Sequence, residues 1–380
     1  MIDAPELGIL LDQLAEYEQH RFCALNLVAS ENLMSPLARA VMASDLGHRY
    51  CLPPRDECPP EIWDYPNQRE LREIHRVTAA LACRLFGGAR ADLRPLSGNN
   101  AASILLDSLA VGSVVASVPA DCGGHFATVA IAKARGLRQV DLVYDRQSGQ
   151  IDVDASAARC RETGATLVFL DASTQLFPHP VAELRLALPA VKLVYDASHT
   201  MGLIAGGAFQ APLVEGADLL QGSTHKSLFG PQKGIFVFRS ADDFCARVQE
   251  RVCPTFVSNG HPHHVAALGV ALAEAARFGA EYAAAVVANA RRLGASLARL
   301  GADISFADRG CTASHQVVLA IGSRERAEGV FAELEQVGLH TNLIRIPFRT
   351  APCFGFRLGV AELTRRGLDL AGVDELAKLL

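Results

Sequence analysis

The sequence predicts an α/β fold, a mostly parallel central sheet followed by a smaller C-terminal α+β domain. Short β-rich runs at 114–118, 140–144, 167–170 and 191–195 alternate with helical or polar stretches, the pattern of a sheet covered on both faces. The chain has 380 residues, more than one hydrophobic core usually serves, so two domains are expected. Residues 264–292 are Ala-rich with few helix breakers and mark the passage into the second. The divisions predicted are an arm over 1–45, a large domain over 46–255 and a small domain over 256–380.

Each element follows from its local pattern. Residues 71–86 carry apolar side chains at helical spacing and stop at Gly87-Gly88. Residues 101–109 form a second apolar helix, and 234–238 add a strand. In the C-terminal part, 316–321 and 354–358 read as strands, with a helix near 326–337. No repeat, low-complexity tail or heptad series is present.

Composition excludes several function classes. With 36 basic and 41 acidic residues the formal charge is −5, so nothing electrostatic favours nucleic acid. The ten cysteines contain no CxxC pair, which points to thiols in a reducing cytosol rather than a disulfide framework or a structural zinc site. The start, Met1 to Glu6, lacks a basic stretch followed by an apolar one, and no apolar run reaches membrane-spanning length. A cytoplasmic protein is expected.

The chemistry concentrates where predicted strands end. Lys226 lies in Ser223-Thr224-His225-Lys226-Ser227, and 30 residues earlier Asp196 closes Val194-Tyr195-Asp196 ahead of Ala197-Ser198-His199. A lysine amine able to form a Schiff base and a carboxylate able to hold a pyridine nitrogen protonated together suggest a pyridoxal phosphate site. Either residue alone would be ordinary surface or turn chemistry. Ser97-Gly98-Asn99-Asn100 precedes an apolar helix, and its N–H groups suit a phosphate, though such residues also make ordinary helix starts. Asp121-Cys122-Gly123-Gly124-His125 offers glycines for close backbone approach and a flat imidazole to cover a ring face; on its own it is equally a polar loop.

These runs, together with Asn26-Leu27-Val28-Ala29-Ser30-Glu31-Asn32 and Phe356-Arg357-Leu358-Gly359, resemble the serine hydroxymethyltransferase family of fold type I pyridoxal phosphate enzymes. The likeness extends from about Asn26 through Gly367. It implies that the large domain binds the cofactor, with Lys226 as the Schiff-base lysine, Asp196 at the pyridine nitrogen, His125 stacked on the ring and His199 near the phenolic oxygen. Ser97, Gly98 and Asn99 would receive the phosphate, with Ser173, His225 and Gly260 also at the cofactor. Arg357 and Ser30 would take the carboxylate of a small amino-acid substrate, with Tyr50 and Tyr65 beside it, because a planar guanidinium fits a carboxylate. The resemblance also implies a homodimer with composite sites, in which Tyr50 and the loop around Gly260 approach the partner's cofactor.

Two departures bear on the reaction. Where the family pattern is Tyr-x-Glu-Gly-Tyr-Pro, this chain reads Tyr50-Cys51-Leu52-Pro53-Pro54-Arg55, so Leu52 replaces a glutamate that handles a proton near the reacting hydroxyl. An insertion with Asp56, Glu57 and Cys58 follows before Trp63-Asp64-Tyr65. His261 stands where the Ser258-Asn259-Gly260 turn would continue with a second glycine, and the C-terminal region is compact against the family's folate-binding pattern. The expected activity is an aldolase or transferase-like, folate-independent reaction at the Cα–Cβ bond of a specialised amino acid. The alternatives are a decarboxylase or oxidative deaminase, an ordinary folate-dependent serine hydroxymethyltransferase, or a silent scaffold.

Overall fold

Seven strands form the central sheet, in the order Arg90–Asp92, Gly234–Phe238, Leu219–Ser223, Lys192–Asp196, Ala165–Asp171, Val114–Ser117 and Arg138–Asp141. The computed structural model describes residues 5–51 and 65–380; Leu52, Asp56, Glu57, Cys58 and Trp63 lie outside them. The five strands from Leu219–Ser223 to Arg138–Asp141 pair in parallel, while Gly234–Phe238 is antiparallel to both of its neighbours. Side chains alternate across these strands, which therefore feed two cores. Val168, Leu170, Leu193, Tyr195, Leu220 and Ile235 face one, packed by Ala82 and Phe86 of the helix Gln68–Phe86 and by Leu268 and Leu272 of the helix Pro262–Arg299. Leu167, Phe169, Val194, Leu219 and Phe236 face the other, against Ile104 and Leu105 of the helix Gly98–Asp107 and Phe244 of Asp243–Arg251. With both faces covered, the strands read as continuous apolar runs. Truncating the fully buried Leu193 to Ala would cost about 2–5 kcal/mol.

A second, antiparallel sheet runs Asp303–Ile304, Gln316–Gly322, Phe354–Gly359, Asn342–Arg345. Val317, Leu319, Phe356 and Leu358 bury one face against Val286, Ala290, Leu293 and Leu297 of the long helix. Alternation turns Gln316, Val318 and Arg357 to the opposite face, where Val318 packs on Leu176 from the loop after Ala165–Asp171. One face of the small sheet thereby looks onto the strand ends of the large one.

Most predicted elements are present with shifted ends. The helix expected over 71–86 is Gln68–Phe86, closed by Gly87 at φ 74°, and the Ala-rich stretch is the single helix Pro262–Arg299. The strand expected over 140–144 is displaced: Arg138–Asp141 joins the sheet, and Tyr144–Asp145 turns away to pair with Gln150–Ile151. Apolar periodicity could not place that break, because Val140, Leu142 and Val143 continue the run on either side of it. Among the described residues no disulfide joins the cysteines, and no helix is long and apolar enough to cross a membrane.

Candidate active site

Parallel strands present their C-terminal ends to ligands. Here Asp171, Asp196 and Ser223 end three neighbouring strands, and the loops that follow surround a cavity of about 210 Å³. Ser97, Gly98, Asn99, His125, Ser173, Asp196, His199, His225 and Lys226 all line it. The fold brings together residues drawn from five separate segments of the sequence.

Lys226 sits on a loop held rigid from several sides. Thr224 donates its hydroxyl to the Pro231 carbonyl at 2.6 Å, the Ser227 hydroxyl accepts from the Gly202 N–H at 3.0 Å, and Asn32 Nδ2 donates to the Lys226 carbonyl at 2.7 Å. Its ammonium is disfavoured by burial, and the Arg357 charge adds to this while Asp196 opposes it, so the amine is pushed down to about 8. Lys226 Nζ lies 3.4 Å from His199 Nε2. The Asp196 carboxylate accepts from the Ser198 N–H at 2.8 Å and from Gln221 Nε2 at 3.0 Å, which fixes its direction. His125 caps the helix Phe126–Ala134, and its N–H donates to the Asp171 carbonyl at 3.1 Å. Burial first, then the Lys226 and Arg357 charges, hold its imidazole below the usual range against the pull of Asp196.

The start of the helix Gly98–Asp107 forms part of the cavity wall and has the makings of an anion cradle. Ser97 caps the helix Gly98–Asp107 by accepting from the Asn100 N–H at 3.0 Å, and the first N–H groups of any helix lack intrahelical partners. Gly98 approaches the strand end so closely that a Cβ would meet the Ser223 nitrogen at 3.0 Å and Ser198 Oγ at 3.2 Å. The Ser223 hydroxyl and His225 Nδ1 are buried here without a partner among the described residues. A phosphate would supply acceptors for the hydroxyl and the helix N–H groups. A lysine amine, a carboxylate and this cradle around one cavity fit pyridoxal phosphate.

Arg357 is 8 % exposed and does not itself line the cavity. It donates Nη1 to the Ser173 carbonyl and Nη2 to Asn342 Oδ1 at 2.7 Å, leaving Nε without a partner among the described residues. Burial lowers its pKa to about 10. Ser30 is placed nearby by the Val28–Leu358 bridge and the Gly359 N–H bond to the Leu27 carbonyl. Gly359 permits this contact, since a Cβ there would lie 2.4 Å from Ala29 Cα.

Three predicted residues are elsewhere in the chain. Tyr50 and Tyr65 stack on each other at 5.5 Å and are about half exposed. Gly260 accepts from the buried Lys233 Nζ at 2.7 Å and lines a separate cavity with Cys51, His75 and Arg94. None of the three lines the Lys226 cavity. Conversely, sequence reading gave no role to Asp171, Thr128 or Gln316, although the first two line the cavity and Gln316 bonds to His199. Asn32 was legible only as part of its motif.

A family model described as serine hydroxymethyltransferase matches residues 8–380. The chain belongs to the serine hydroxymethyltransferase family. Like-named relatives include one from Methanothermobacter thermautotrophicus, 38% identical over 366 residues, covering 94% of this chain and 85% of the relative. Another, from Methanopyrus kandleri, is 38% identical over 367 residues, covering 94% and 84%. Among solved structures, the L-threonine transaldolase from Pseudomonas fluorescens in its internal aldimine state superposes with a TM-score of 0.93 at 34% identity, covering 98% of this chain and 86% of that one. This member of the serine hydroxymethyltransferase family is thus a fold type I, pyridoxal phosphate-dependent enzyme.

Proposed function

We propose that the enzyme is a folate-independent aldolase or transaldolase acting at the Cα–Cβ bond of a β-hydroxy amino acid such as L-threonine. The donor's side chain leaves as an aldehyde, and a second aldehyde adds to Cα to give a new β-hydroxy amino acid. The observation that carries this reading is Leu52, a side chain with no proton to give or take, at the place of the family's glutamate. The likeness to a threonine transaldolase supports it.

Bound in the cavity, the cofactor supplies a ring that accepts electron density from Cα. Lys226 would hold it covalently, Asp196 would keep its ring nitrogen protonated, and Ser97, Gly98, Asn99, Ser223 and His225 would hold its phosphate. Ser173 and His199, which line the same cavity, would contact it. Arg357, helped by Ser30, would bind the substrate carboxylate and so orient the bond to be broken. Cleavage removes the β-hydroxyl proton, and His125, held neutral by burial, is a base at the cavity wall. We further propose a cytoplasmic homodimer in which Tyr50, Tyr65 and the Gly260 loop complete the partner's cavity.

The test is a comparison of two reactions by purified holoenzyme. L-Threonine with benzaldehyde and no folate should give acetaldehyde and a phenyl-substituted β-hydroxy amino acid. Efficient glycine formation from L-serine that requires tetrahydrofolate, with no aldehyde exchange, would overturn the reading. That second activity, folate-dependent serine hydroxymethyl transfer, is the alternative favoured by the names of relatives at 38% identity.

A further inference from the structure

Gln316 begins the strand Gln316–Gly322 and is fully buried. Its amide is held from both sides. Oε1 accepts from the Gln175 backbone N–H at 2.8 Å, and Nε2 donates to the Ser173 carbonyl at 3.0 Å. A backbone N–H cannot accept and a carbonyl cannot donate, so only one orientation of the amide satisfies both. Nε2 then turns its second N–H to His199 Nδ1, 2.9 Å away. That ring nitrogen has to be the acceptor. A neutral imidazole with a bare Nδ1 carries its proton on Nε2, the atom 3.4 Å from Lys226 Nζ.

The imidazole is kept neutral by its surroundings. Burial comes first, followed by the charges of Lys226 and Arg357 and the neighbouring His315 and His125, and together they hold His199 well below the usual histidine range. The His315 ring lies nearly parallel to that of His199 at 5.8 Å and restrains its tilt.

We propose that Gln316 is a positioning residue: it sets His199 in the Nε2–H tautomer, as a hydrogen-bond donor towards Lys226, and ties that setting to Arg357 through the shared Ser173 carbonyl. In this tautomer His199 cannot take a proton from Lys226; it steadies the unprotonated amine instead. The Ser173 oxygen accepts from both Gln316 Nε2 and Arg357 Nη1, so movement of the guanidinium on carboxylate binding reaches His199 through one carbonyl. The inference deepens the proposed function, on which Lys226 bears the cofactor, yet the tautomer does not depend on which substrate is cleaved.

The decisive measurement is the ¹⁵N spectrum of holoenzyme labelled in its 12 histidines, with His199 assigned by its loss in His199→Asn. Expected is a protonated Nε2 and a bare Nδ1 across pH 7–8. Gln316→Glu should move the proton to Nδ1. An ionised glutamate only accepts, so the Nδ1 facing it must donate. The pH midpoint of the visible cofactor band should shift in the same variant by about one unit, a change that loosened packing alone would not direct. A proton on Nδ1 in the wild-type enzyme overturns the inference even if the variant fails to fold, as does an unchanged tautomer in a folded Gln316→Glu. Failure of aldehyde exchange would sink the proposed reaction and leave this result untouched.

Discussion

Asp171 and Asp196 are register partners on adjacent parallel strands, and both residues line the same cavity. Their environments differ. Asp171 is pushed well above the usual carboxylate range by burial, with the Asp196 charge adding to this and the Thr128 hydroxyl opposing it. Burial thus disfavours charge on Asp171, whereas the Asp196 carboxylate accepts from the Ser198 N–H and Gln221 Nε2.

From this difference, Asp171→Asn should change turnover by no more than about threefold, since the amide oxygen still accepts from the Val118 N–H and its NH2 can donate to the Thr128 hydroxyl once that hydroxyl turns to accept. Asp196→Asn should lower kcat by about 10²–10³, the usual effect of removing one group that stabilises developing charge. Steady-state kinetics on both variants checks the ranking, and equal losses would refute it.

Lys226 should be the residue trapped by borohydride reduction, and Lys226→Ala should abolish the covalent adduct. With its amine near 8, nucleophilic free base grows as pH rises through that value. The rate at which apoenzyme takes up pyridoxal phosphate should therefore increase with a midpoint near pH 8 rather than near the ordinary lysine value of about 10.4. Stopped-flow absorbance across pH 6–10 measures it.

Arg357→Lys should leave cofactor content nearly intact while raising KM for the amino acid by about tenfold or more, because lysine lacks the planar fork. Equilibrium dialysis of the cofactor separates this from a phosphate role. A variant that loses cofactor and keeps KM would contradict the assignment.

Mixed dimers of a Lys226→Ala chain and a Tyr50→Phe chain should regain activity, since one of the two cavities would hold both intact residues. Purely additive loss in verified heterodimers would favour self-contained cavities. The helix Pro5–Cys23 is consistent with a partner: it buries no side chain and exposes Ile9, Leu10, Leu11 and Leu14.

Arg94 pairs with the buried Asp92 through several hydrogen bonds, and this pairing holds the carboxylate down to about 2 despite the opposing effect of burial. Arg94→Met would leave a buried charge poorly compensated and should cost about 3–5 kcal/mol by urea unfolding.

The residues legible in sequence are those whose chemistry is announced by their own neighbours. Asp196 closes a strand, His125 and Ser97 cap helices, and Lys226 follows three residues after the strand Leu219–Ser223; local pattern finds such places. Gln316 does not. Its partners His199, Ser173 and Gln175 lie 117, 143 and 141 residues away, and only the seating of the small sheet on the large one unites them. Asp171 was hidden for a different reason: what sets it apart is burial, which raises its carboxyl above the usual range, and a strand-ending aspartate looks the same in sequence whether buried or exposed. The break between Asp141 and Tyr144 was lost because apolar Val140, Leu142 and Val143 lie on either side of it.

The helix Pro262–Arg299 lends Leu268, Ala271 and Leu272 to one core and Val286, Ala290, Leu293 and Leu297 to the other. At the usual rise its 38 residues span about 57 Å. Neither core can come apart without fraying turns on which the other depends. The two sheets are therefore coupled in their melting, and calorimetry should record one cooperative transition in which the catalytic cavity is lost together with the whole chain rather than ahead of it.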